Sequence, residues 1–349
     1  MNNNTPYSNY SLCNEMLETP DVMTRFDLNR AWSWAEQVAA AFSTGAYDRI
    51  LLTGEGSSRI FPAKGALYTN NAGKSGLSPK PLFTEGCTQA LDYDLSRTLI
   101  IGASNSGKTK ELIRLFQKLN KEGHAGLFGI TAHKGTILGE LATTFVLDCG
   151  SEAAVAATKS VVEQALAVHL VLHVLQGGSR EDFAAELNRA AEAVGQALTA
   201  RVEPGVIESL GKAPLVYFAG RNTGVAEELA LKTNEITRKK SAYLEGTLAV
   251  HGIEEVMDPG EALILVEPFE DEEPMFQKHL VGGVGISVVA ISSRQTSFPT
   301  LKIPSVGRFQ NIVELAAGWN LLVETGLALS IDLDTPKRAR KVGNEFVGS

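Results

Sequence analysis

Cysteine is scarce in this chain of 349 residues, which contains Cys13, Cys87 and Cys149 and no other. Three cysteines that lie far apart along the sequence form neither an even set of disulfide partners nor the short spacing of a zinc site. This usage is typical of a reducing compartment, so we expect a cytoplasmic protein without structural disulfides.

Positive charge and long apolar stretches are also limited. The 32 Lys and Arg residues are outnumbered by 40 Asp and Glu residues, and the resulting net charge of −8 disfavours nucleic acid as a partner. No apolar run reaches the ~18 residues that a membrane span requires. The chain starts with the polar sequence MNNNTPYSNY, which does not resemble a secretory signal. We therefore expect neither membrane insertion nor nucleic-acid binding, although local donors could still bind a small anion.

Short apolar segments alternate with helical patterns along most of the chain, which is long enough for two domains. This alternation predicts an α/β fold with doubly wound parallel sheets. The segments LLTGEGSSR and YFAGRNTGV place Gly54 and Gly220 at equivalent positions, so one α/β unit is predicted to occur twice. The predicted organisation is an N-terminal arm (1–30), a first domain (31–178), a second domain (205–332) and a C-terminal tail (333–349). Within the first domain, one continuous helix is predicted over 152–176.

The stretch LIIGASNSGKTKELIRL, residues 99–115, predicts a buried strand, a tight polar loop and a helix. Backbone N–H groups at the start of a helix and the positive end of its dipole favour anions. Residues 102–109 fit the complete G-x-x-x-x-G-K-[ST] pattern of a nucleotide-binding P-loop. They also fit the hydroxyl-rich pattern S-x-S-G-x-T, which suits the phosphate of a sugar. The loop by itself leaves both ligands open.

Several motifs together resemble the sugar isomerase (SIS) family. Residues 102–109 resemble its phosphate loop, GEGSS (54–58) its first glycine-serine turn, and SEAAVAATK (151–159) its E-x-x-V-A-x-T-K segment. The second half contains ELALKTNE (228–235), which is similar to E-x-A-L-K-x-x-E, and His251 follows it. The tail matches D-x-P-x-x-x-x-K at 334–341. The similarity extends from about residue 30 and is closest to the isomerase half of glucosamine-6-phosphate synthase and to related ketose/aldose isomerases and deglycases. It implies two tandem SIS-type, flavodoxin-like domains.

The resemblance implies an aldose–ketose isomerase for an anionic sugar, with Glu235, His251 and Lys341 as catalytic residues. Moving a carbonyl between neighbouring carbons through an enediol requires a base that transfers a proton, and a carboxylate such as Glu235 suits this step. His251 suits ring opening because histidine titrates near neutrality, and Lys341 can stabilise negative charge on the sugar oxygens. In the family the histidine comes from the partner subunit, which implies a homodimer. No metal or other cofactor is expected.

The residues that the resemblance assigns to substrate binding lie in the two loops, in the 151–159 segment and beside the base. They are Gly56, Ser57, Ser58, Arg59, Ser104, Asn105, Ser106, Lys108, Thr109, Ala156 and Lys232. Lys108 and Arg59 depart from the family pattern, so a sulfonated sugar is a further candidate ligand. One alternative function is a deaminase or deglycase of an amino-sugar or fructosamine phosphate, and another is a non-catalytic regulator that binds a sugar phosphate.

Overall fold

The structure is a computed structural model that describes residues 1–73, 77–341 and 344–347. The strands in these residues are β1 (Arg49–Gly54), β2 (Leu82–Gly86), β3 (Thr98–Ala103), β4 (Leu127–Thr131), β5 (Thr143–Val146), β6 (Leu215–Gly220), β7 (Lys240–Glu245), β8 (Ala262–Val266), β9 (Ser287–Ser292) and β10 (Thr300–Lys302).

The α-helices of the same residues are α1 (Ser11–Leu17), α2 (Thr19–Thr24), α3 (Leu28–Ser43), α4 (Ser57–Asn71), α5 (Cys87–Ala90), α6 (Lys110–Lys121), α7 (Ile137–Leu141), α8 (Lys159–Leu175), α9 (Arg180–Thr199), α10 (Pro204–Lys212), α11 (Val225–Ile236), α12 (Glu273–Phe276) and α13 (Gln310–Ala328). Short 3-10 helices lie at Tyr7–Asn9, Leu248–Val250, Ile253–Val256 and Glu270–Glu272, and Gln277–Val284 is a π-helix.

The strands form two five-stranded sheets in which all pairings between these strands are parallel. The order of the first sheet is β2-β1-β3-β4-β5. The second sheet, taken from its β7 edge, has the corresponding order β7-β6-β8-β9-β10. This is the order of flavodoxin-like doubly wound folds. The predicted fold of two tandem α/β copies is therefore confirmed.

The chain divides into two compact units, one around each sheet. The first unit comprises Asp21–Glu152, Ala157–Asn188 and the described residues of Arg340–Ser349. The second unit comprises Met1–Pro20, Ala153–Ala156 and Arg189–Ala339.

Helices cover both faces of the first sheet, because successive side chains of a strand point to opposite sides. Leu51 of β1 belongs to a buried cluster with Phe116 of α6. The next residue, Leu52, lies instead with Ala66 of α4 and Val168 of α8. A strand that is buried on both faces has an uninterrupted run of apolar residues in its sequence. This is the pattern from which β1 and β3 were predicted.

The core of the second unit is built in the same way. Leu263 of β8 belongs to a buried cluster with Phe276 and Leu280. In addition, α11 and α13 approach each other so closely that a Cβ atom at Gly318 would lie 2.3 Å from the side chain of Leu229. The N-terminal residues add to this unit, since Leu12 of α1 is fully buried.

The prediction of one continuous helix over 152–176 is wrong at its start, because α8 begins at Lys159. The carboxylate of Glu152 accepts hydrogen bonds from the backbone N–H groups of Thr158 and Ser160, both at 3.0 Å. N–H groups of a first helical turn have no partner within the helix. Glu152 therefore caps α8 from outside, and the preceding residues form a loop.

Candidate functional site

The anion loop, defined as residues 104–109, connects β3 to α6 at the carboxyl edge of the first sheet. Strands β1 and β3 are neighbours in this sheet, although β2 lies between them in sequence. Open α/β sheets bind ligands at such a switch point in strand order. The loop that the sequence predicts as an anion site therefore lies where the topology favours a ligand.

Hydroxyl groups brace the anion loop from within. The Oγ of Ser104 lies 2.7 Å from the Oγ1 of Thr109, and the Oγ of Ser106 accepts a hydrogen bond from the N–H of Lys108 at 3.1 Å. Thr109 is the N-cap residue of α6, with its hydroxyl turned towards Ser104 instead of capping the helix. Ser104 is buried, whereas Lys108 is exposed. A rigid loop at a helix start is the kind of site that binds phosphate.

Asn105 adds a buried acceptor to the anion loop. Its backbone oxygen accepts hydrogen bonds from Thr131 Oγ1 at 3.2 Å and from the N–H of Ala132 at 3.0 Å, which fixes the residue on the end of β4. Within residues 1–73, 77–341 and 344–347, no donor reaches its buried Oδ1 atom. A buried acceptor without a partner is costly. A ligand that carries hydroxyl donors would supply the missing hydrogen bond.

The predicted glycine-serine turn lies beside the anion loop. In the sheet, Gly54 at the end of β1 pairs with Ala103 at the end of β3. Gly56 is the N-cap of α4, with φ of +53°, and α4 starts directly afterwards with Ser57, Ser58 and Arg59. The sequence-predicted binding residues of the two loops therefore lie at the N-termini of helices that follow adjacent strands.

Glu55 lies in the same turn and has no assigned role in the sequence-based prediction. Its carboxylate accepts a hydrogen bond from the N–H of Cys87 at 3.0 Å. Burial raises the pKa of Glu55 above its ordinary value. The hydrogen bond from the N–H of Cys87 lowers this pKa, and the negative charge of Glu111 raises it further. A carboxylate that binds its proton more tightly than usual becomes neutral at a higher pH, which lessens its repulsion of an anion there.

Gly107 gives a test of the anion loop's geometry. Its φ of +63° suits glycine, and a Cβ atom would lie 2.5 Å from the side chain of Thr136. Gly123 has a similar φ of +76° but open space around it. We expect Gly107→Ala to weaken sulfate binding at least about tenfold. Gly123→Ala should destabilise the fold by only ~1–2 kcal/mol, the cost of a left-handed backbone at a non-glycine residue, and Gly107→Ala should destabilise it by more. Calorimetric titration and urea unfolding measure both effects, and equal behaviour of the two variants would contradict the loop geometry.

The second sheet has no matching loop at the equivalent strand end. There β8 is followed by Glu267, a non-glycine residue with φ of +42°. Its carboxylate accepts hydrogen bonds from Ser292 Oγ at 3.1 Å and from the N–H of Ser293. A carboxylate in this place opposes a bound anion. The features of an anion site thus occur in the first copy and are replaced in the second.

The C-terminal Lys341 lies in the first unit, paired with Glu152. Its Nζ atom is 3.2 Å from Glu152 Oε2, and its side chain is 31% exposed whereas that of Glu152 is 2% exposed. Burial raises the pKa of Glu152, but the charge of Lys341 and hydrogen bonds from Ser160 and Thr158 outweigh burial and hold the pKa below its ordinary value. Ala156, which the sequence predicts to bind substrate, is buried and groups with the second unit.

Lys232 and Glu235 lie together on α11 in the second unit, as their spacing predicts. Lys232 Nζ donates to Glu235 Oε2 at 2.8 Å and lies 3.3 Å from Glu228 Oε1. The side chains of Glu228 and Lys232 are 0% and 1% exposed, whereas that of Glu235 is 21% exposed. Burial would lower the pKa of Lys232, but the two carboxylates outweigh it and raise the pKa. The result is a fixed ion pair with one accessible carboxylate.

His251 lies on the surface of the second unit, between two 3-10 helices. Its Nε2 atom is 3.2 Å from Thr247 Oγ1, so its ring is hydrogen-bonded to a neighbouring hydroxyl rather than to Glu235. Two exposed apolar side chains belong to the flanking helices, Leu248 at 43% and Val256 at 73% exposure. Exposed apolar groups around a polar residue are a feature of interaction surfaces.

Residues 89–174, from α5 to α8, match the family model of the SIS domain. The matched segment includes the anion loop, and the resemblance predicted from the sequence is confirmed. Residues 89–174 are therefore similar to an SIS domain, and the second half of the chain contains a second α/β copy of the same strand order.

Proteins similar to this chain include several that are named after sugar phosphates. A glutamine–fructose-6-phosphate aminotransferase (isomerizing) from Leifsonia xyli subsp. xyli is 23% identical over 267 residues, which are 70% of this chain and 43% of that relative. The C-terminal domain of glucosamine-fructose-6-phosphate aminotransferase from Francisella tularensis has a TM-score of 0.76 at 18% identity, covering 94% of this chain and 98% of that one. Tagatose-6-phosphate ketose/aldose isomerase from Escherichia coli has a TM-score of 0.78 at 17% identity, covering 95% and 97%. At these identities the solved structures establish the fold.

The described residues contain neither a metal-binding cluster nor a membrane-spanning helix. No group of three or more His, Cys, Asp or Glu side chains in residues 1–73, 77–341 and 344–347 is arranged to hold a metal ion. In the same part of the chain, no helix combines the length and the apolar character that crossing a bilayer demands.

Proposed function

We propose that this chain is an aldose–ketose isomerase that acts on a phosphorylated sugar through an enediol intermediate. The observation that carries the proposal is the group Glu228, Lys232 and Glu235 on α11, in which a buried lysine holds one accessible carboxylate. Buried charged groups with a specific partner concentrate at functional sites. The SIS match and the anion loop support a sugar phosphate over a nucleotide as the ligand.

In the proposed reaction Glu235 removes the proton from the carbon beside the carbonyl of the open sugar. The electrons of that C–H bond form the double bond of the enediol, and the carbonyl oxygen takes the negative charge or a proton. Glu235 then returns its proton to the former carbonyl carbon, while the hydroxyl on the neighbouring carbon gives up its proton, which ends on the former carbonyl oxygen, and becomes the new carbonyl. No external oxidant or reductant is needed. Lys341 stabilises the charge on the oxygens. Because a lysine provides this charge, the proposed reaction uses no metal, and EDTA should leave its rate unchanged.

The phosphate of the substrate is assigned to the anion loop. Hydroxyl groups of Ser104, Ser106 and Thr109 and the start of α6 supply donors of the type that phosphate requires. The buried Oδ1 atom of Asn105 would accept a hydrogen bond from a sugar hydroxyl. A ligand with both an anion and hydroxyl donors matches this set better than an anion alone.

His251 is proposed to open the sugar ring, and to do so from a second copy of this chain. The support is its exposed position beside the apolar side chains of Leu248 and Val256. A homodimer would cover these side chains and place the histidine at the interface. Sedimentation equilibrium should then give twice the mass of the chain.

A thermal-shift panel followed by product analysis tests the proposed function. The panel contains hexose phosphates, amino-sugar phosphates, a sulfonated sugar and ATP with magnesium. We expect a hexose phosphate to raise the melting temperature and to be converted into its ketose or aldose isomer. Release of ammonia or an amine would indicate the deaminase or deglycase instead, binding without conversion would indicate a regulator, and a response to ATP alone would overturn the sugar assignment.

A further inference from the structure

Glu152 is a buried carboxylate with more hydrogen bonds than a helix cap requires. Its Oε1 atom accepts from the N–H and Oγ1 of Thr158 and from the N–H of Ser160, all at 3.0 Å. Its Oε2 atom accepts from Ser160 Oγ at 2.7 Å and from Lys341 Nζ at 3.2 Å. The Oε1 atom thus caps the start of α8, and the Oε2 atom accepts hydrogen bonds from both Ser160 and Lys341.

Residues 344–346 are attached to the anion loop. The N–H of Phe346 donates to the oxygen of Lys108 at 2.9 Å, and the oxygen of Asn344 accepts from the N–H of Lys110 at 3.1 Å. Between these bonds, residue 345 forms an antiparallel bridge with Thr109. Residues 344–346 therefore run antiparallel to the end of the anion loop and pair with it through one β-bridge and two backbone hydrogen bonds.

The contact with Glu152 and the attachment of residues 344–346 to the anion loop limit where Lys341 can lie. Three peptide units separate it from Asn344, so their Cα atoms lie at most about 11 Å apart. Residues 344–346 are fixed at the anion loop by their backbone contacts, while the ammonium group of Lys341 is held by Glu152. Holding a flexible lysine side chain in one place costs up to about 2 kcal/mol of rotamer entropy, and the interaction with Glu152 offsets this cost.

We propose that Glu152 is the positioning residue that holds the Lys341 ammonium group beside the anion loop. The inference rests on the proposed function, in which Lys341 stabilises charge on the substrate. Glu152 does not contact the reacting atoms itself. It acts by anchoring Lys341, the group of the tail to which the proposed function gives a catalytic role, so its effect passes through Lys341.

Capping α8 does not by itself explain a charged residue at position 152. The N–H groups of Thr158 and Ser160 need only an acceptor oxygen, which glutamine also supplies. Glutamine would present its amide nitrogen, a donor, to either Lys341 or Ser160. Glu152→Gln therefore retains the cap and removes the attraction for the ammonium group. The negative charge is maintained across the neutral range, since the pKa of Glu152 lies below its ordinary value.

Glu163, a buried glutamate within α8, supplies a matched control for Glu152, which caps that helix from outside. It is 1% exposed, and its carboxylate oxygens accept hydrogen bonds from the N–H of Asp148 at 3.0 and 2.9 Å. Glu163→Gln therefore changes a buried carboxylate of α8 without removing a partner of Lys341. Both variants are compared with wild type by circular dichroism before the assays.

The first readout is the rate at which acetic anhydride acetylates Lys341, measured by mass spectrometry relative to the exposed Lys337. We expect Glu152→Gln to raise this ratio about tenfold, because a charge-assisted hydrogen bond to the amine is lost. Glu163→Gln should leave it unchanged. If Glu152→Gln does not fold, Glu152→Asp is used, which keeps the charge on a shorter side chain and should raise the ratio less. Unchanged labelling in the folded variant overturns the proposal.

The second readout is steady-state kinetics on the sugar phosphate that the panel identifies. We expect Glu152→Gln to lower kcat up to about 100-fold with little change in KM, because a misplaced group acts mainly on the transition state. The double variant Glu152→Gln/Lys341→Ala should be no slower than Lys341→Ala alone. Additive losses would overturn the positioning role. If no sugar is converted, the proposed function fails, while the labelling result still decides whether Glu152 holds Lys341.

Discussion

Replacing Glu235 by glutamine is expected to lower kcat of isomerisation about 1000-fold with little change in KM. Glutamine has nearly the same shape and can still accept a hydrogen bond from the Lys232 ammonium group, which keeps its partner Glu228, so α11 stays intact. It cannot take a proton from carbon at neutral pH. Stopped assays of ketose formation and exchange of the substrate proton with solvent measure the loss.

Glu208→Gln is the control for this variant. Glu208 is also a helical glutamate paired with a lysine, Lys212, but its side chain is 65% exposed and lies on α10. Its replacement should leave kcat within about twofold, since surface ion pairs contribute little. Proton exchange that persists in Glu235→Gln would show that another group is the base.

Replacing Lys232 by methionine is expected to lower the free energy of unfolding by about 3–5 kcal/mol. Methionine fills much of the same volume, but it leaves the carboxylate of Glu228, which is 0% exposed, without the charge 3.3 Å away. Glu235 is partly exposed and is still solvated. Adding Glu228→Gln to Lys232→Met should recover part of the loss, because the uncompensated charge is then removed. Urea unfolding monitored by fluorescence gives these free energies.

Lys212→Met is the matched control, because it removes the lysine of an exposed pair at the same helical spacing of four residues. We expect it to cost less than about 1 kcal/mol. A Lys232→Met variant as stable as Lys212→Met would contradict the burial of the α11 group.

The pH dependence of the α11 group has a definite sign. The folded-state pKa of Lys232 is raised. Its charge therefore contributes stability fully below its unfolded pKa, ~10.4, and this contribution is lost as pH rises through the higher folded value. The stability difference between wild type and Lys232→Met should be constant around neutrality and decline only in strongly alkaline solution.

Central strands of the fold are predictable from the sequence, whereas two of the edge strands are not. Strands β1 and β3 are buried on both faces and so appear as apolar runs in the sequence. The edge strands β2 and β7, with the sequences LFTEG and KSAYLE, are only partly buried and contain polar residues. Their patterns resemble loops, and only pairing with β1 and β6 makes them strands.

In the candidate site, too, contacts between residues close in sequence are predictable, whereas contacts between distant residues are not. The adjacency of Lys232 and Glu235 follows from three-residue spacing on a helix, and the start of α6 follows from the loop pattern. Glu228 had a local signal as well, since it lies four residues before Lys232. The role of Glu152 had none, because its partner Lys341 is 189 residues away in sequence. Such a pairing depends on tertiary structure.

Deuterium incorporation at C2 of a hexose phosphate in D2O, followed by proton NMR, tests the proposed function most directly. The account predicts that wild-type protein exchanges the C2 proton with solvent while it interconverts aldose and ketose, and that Glu235→Gln does not. Proton transfer and conversion that persist at the wild-type rate in Glu235→Gln, or tight binding of the sugar phosphate with neither exchange nor conversion in the wild-type protein, would contradict proton transfer by Glu235.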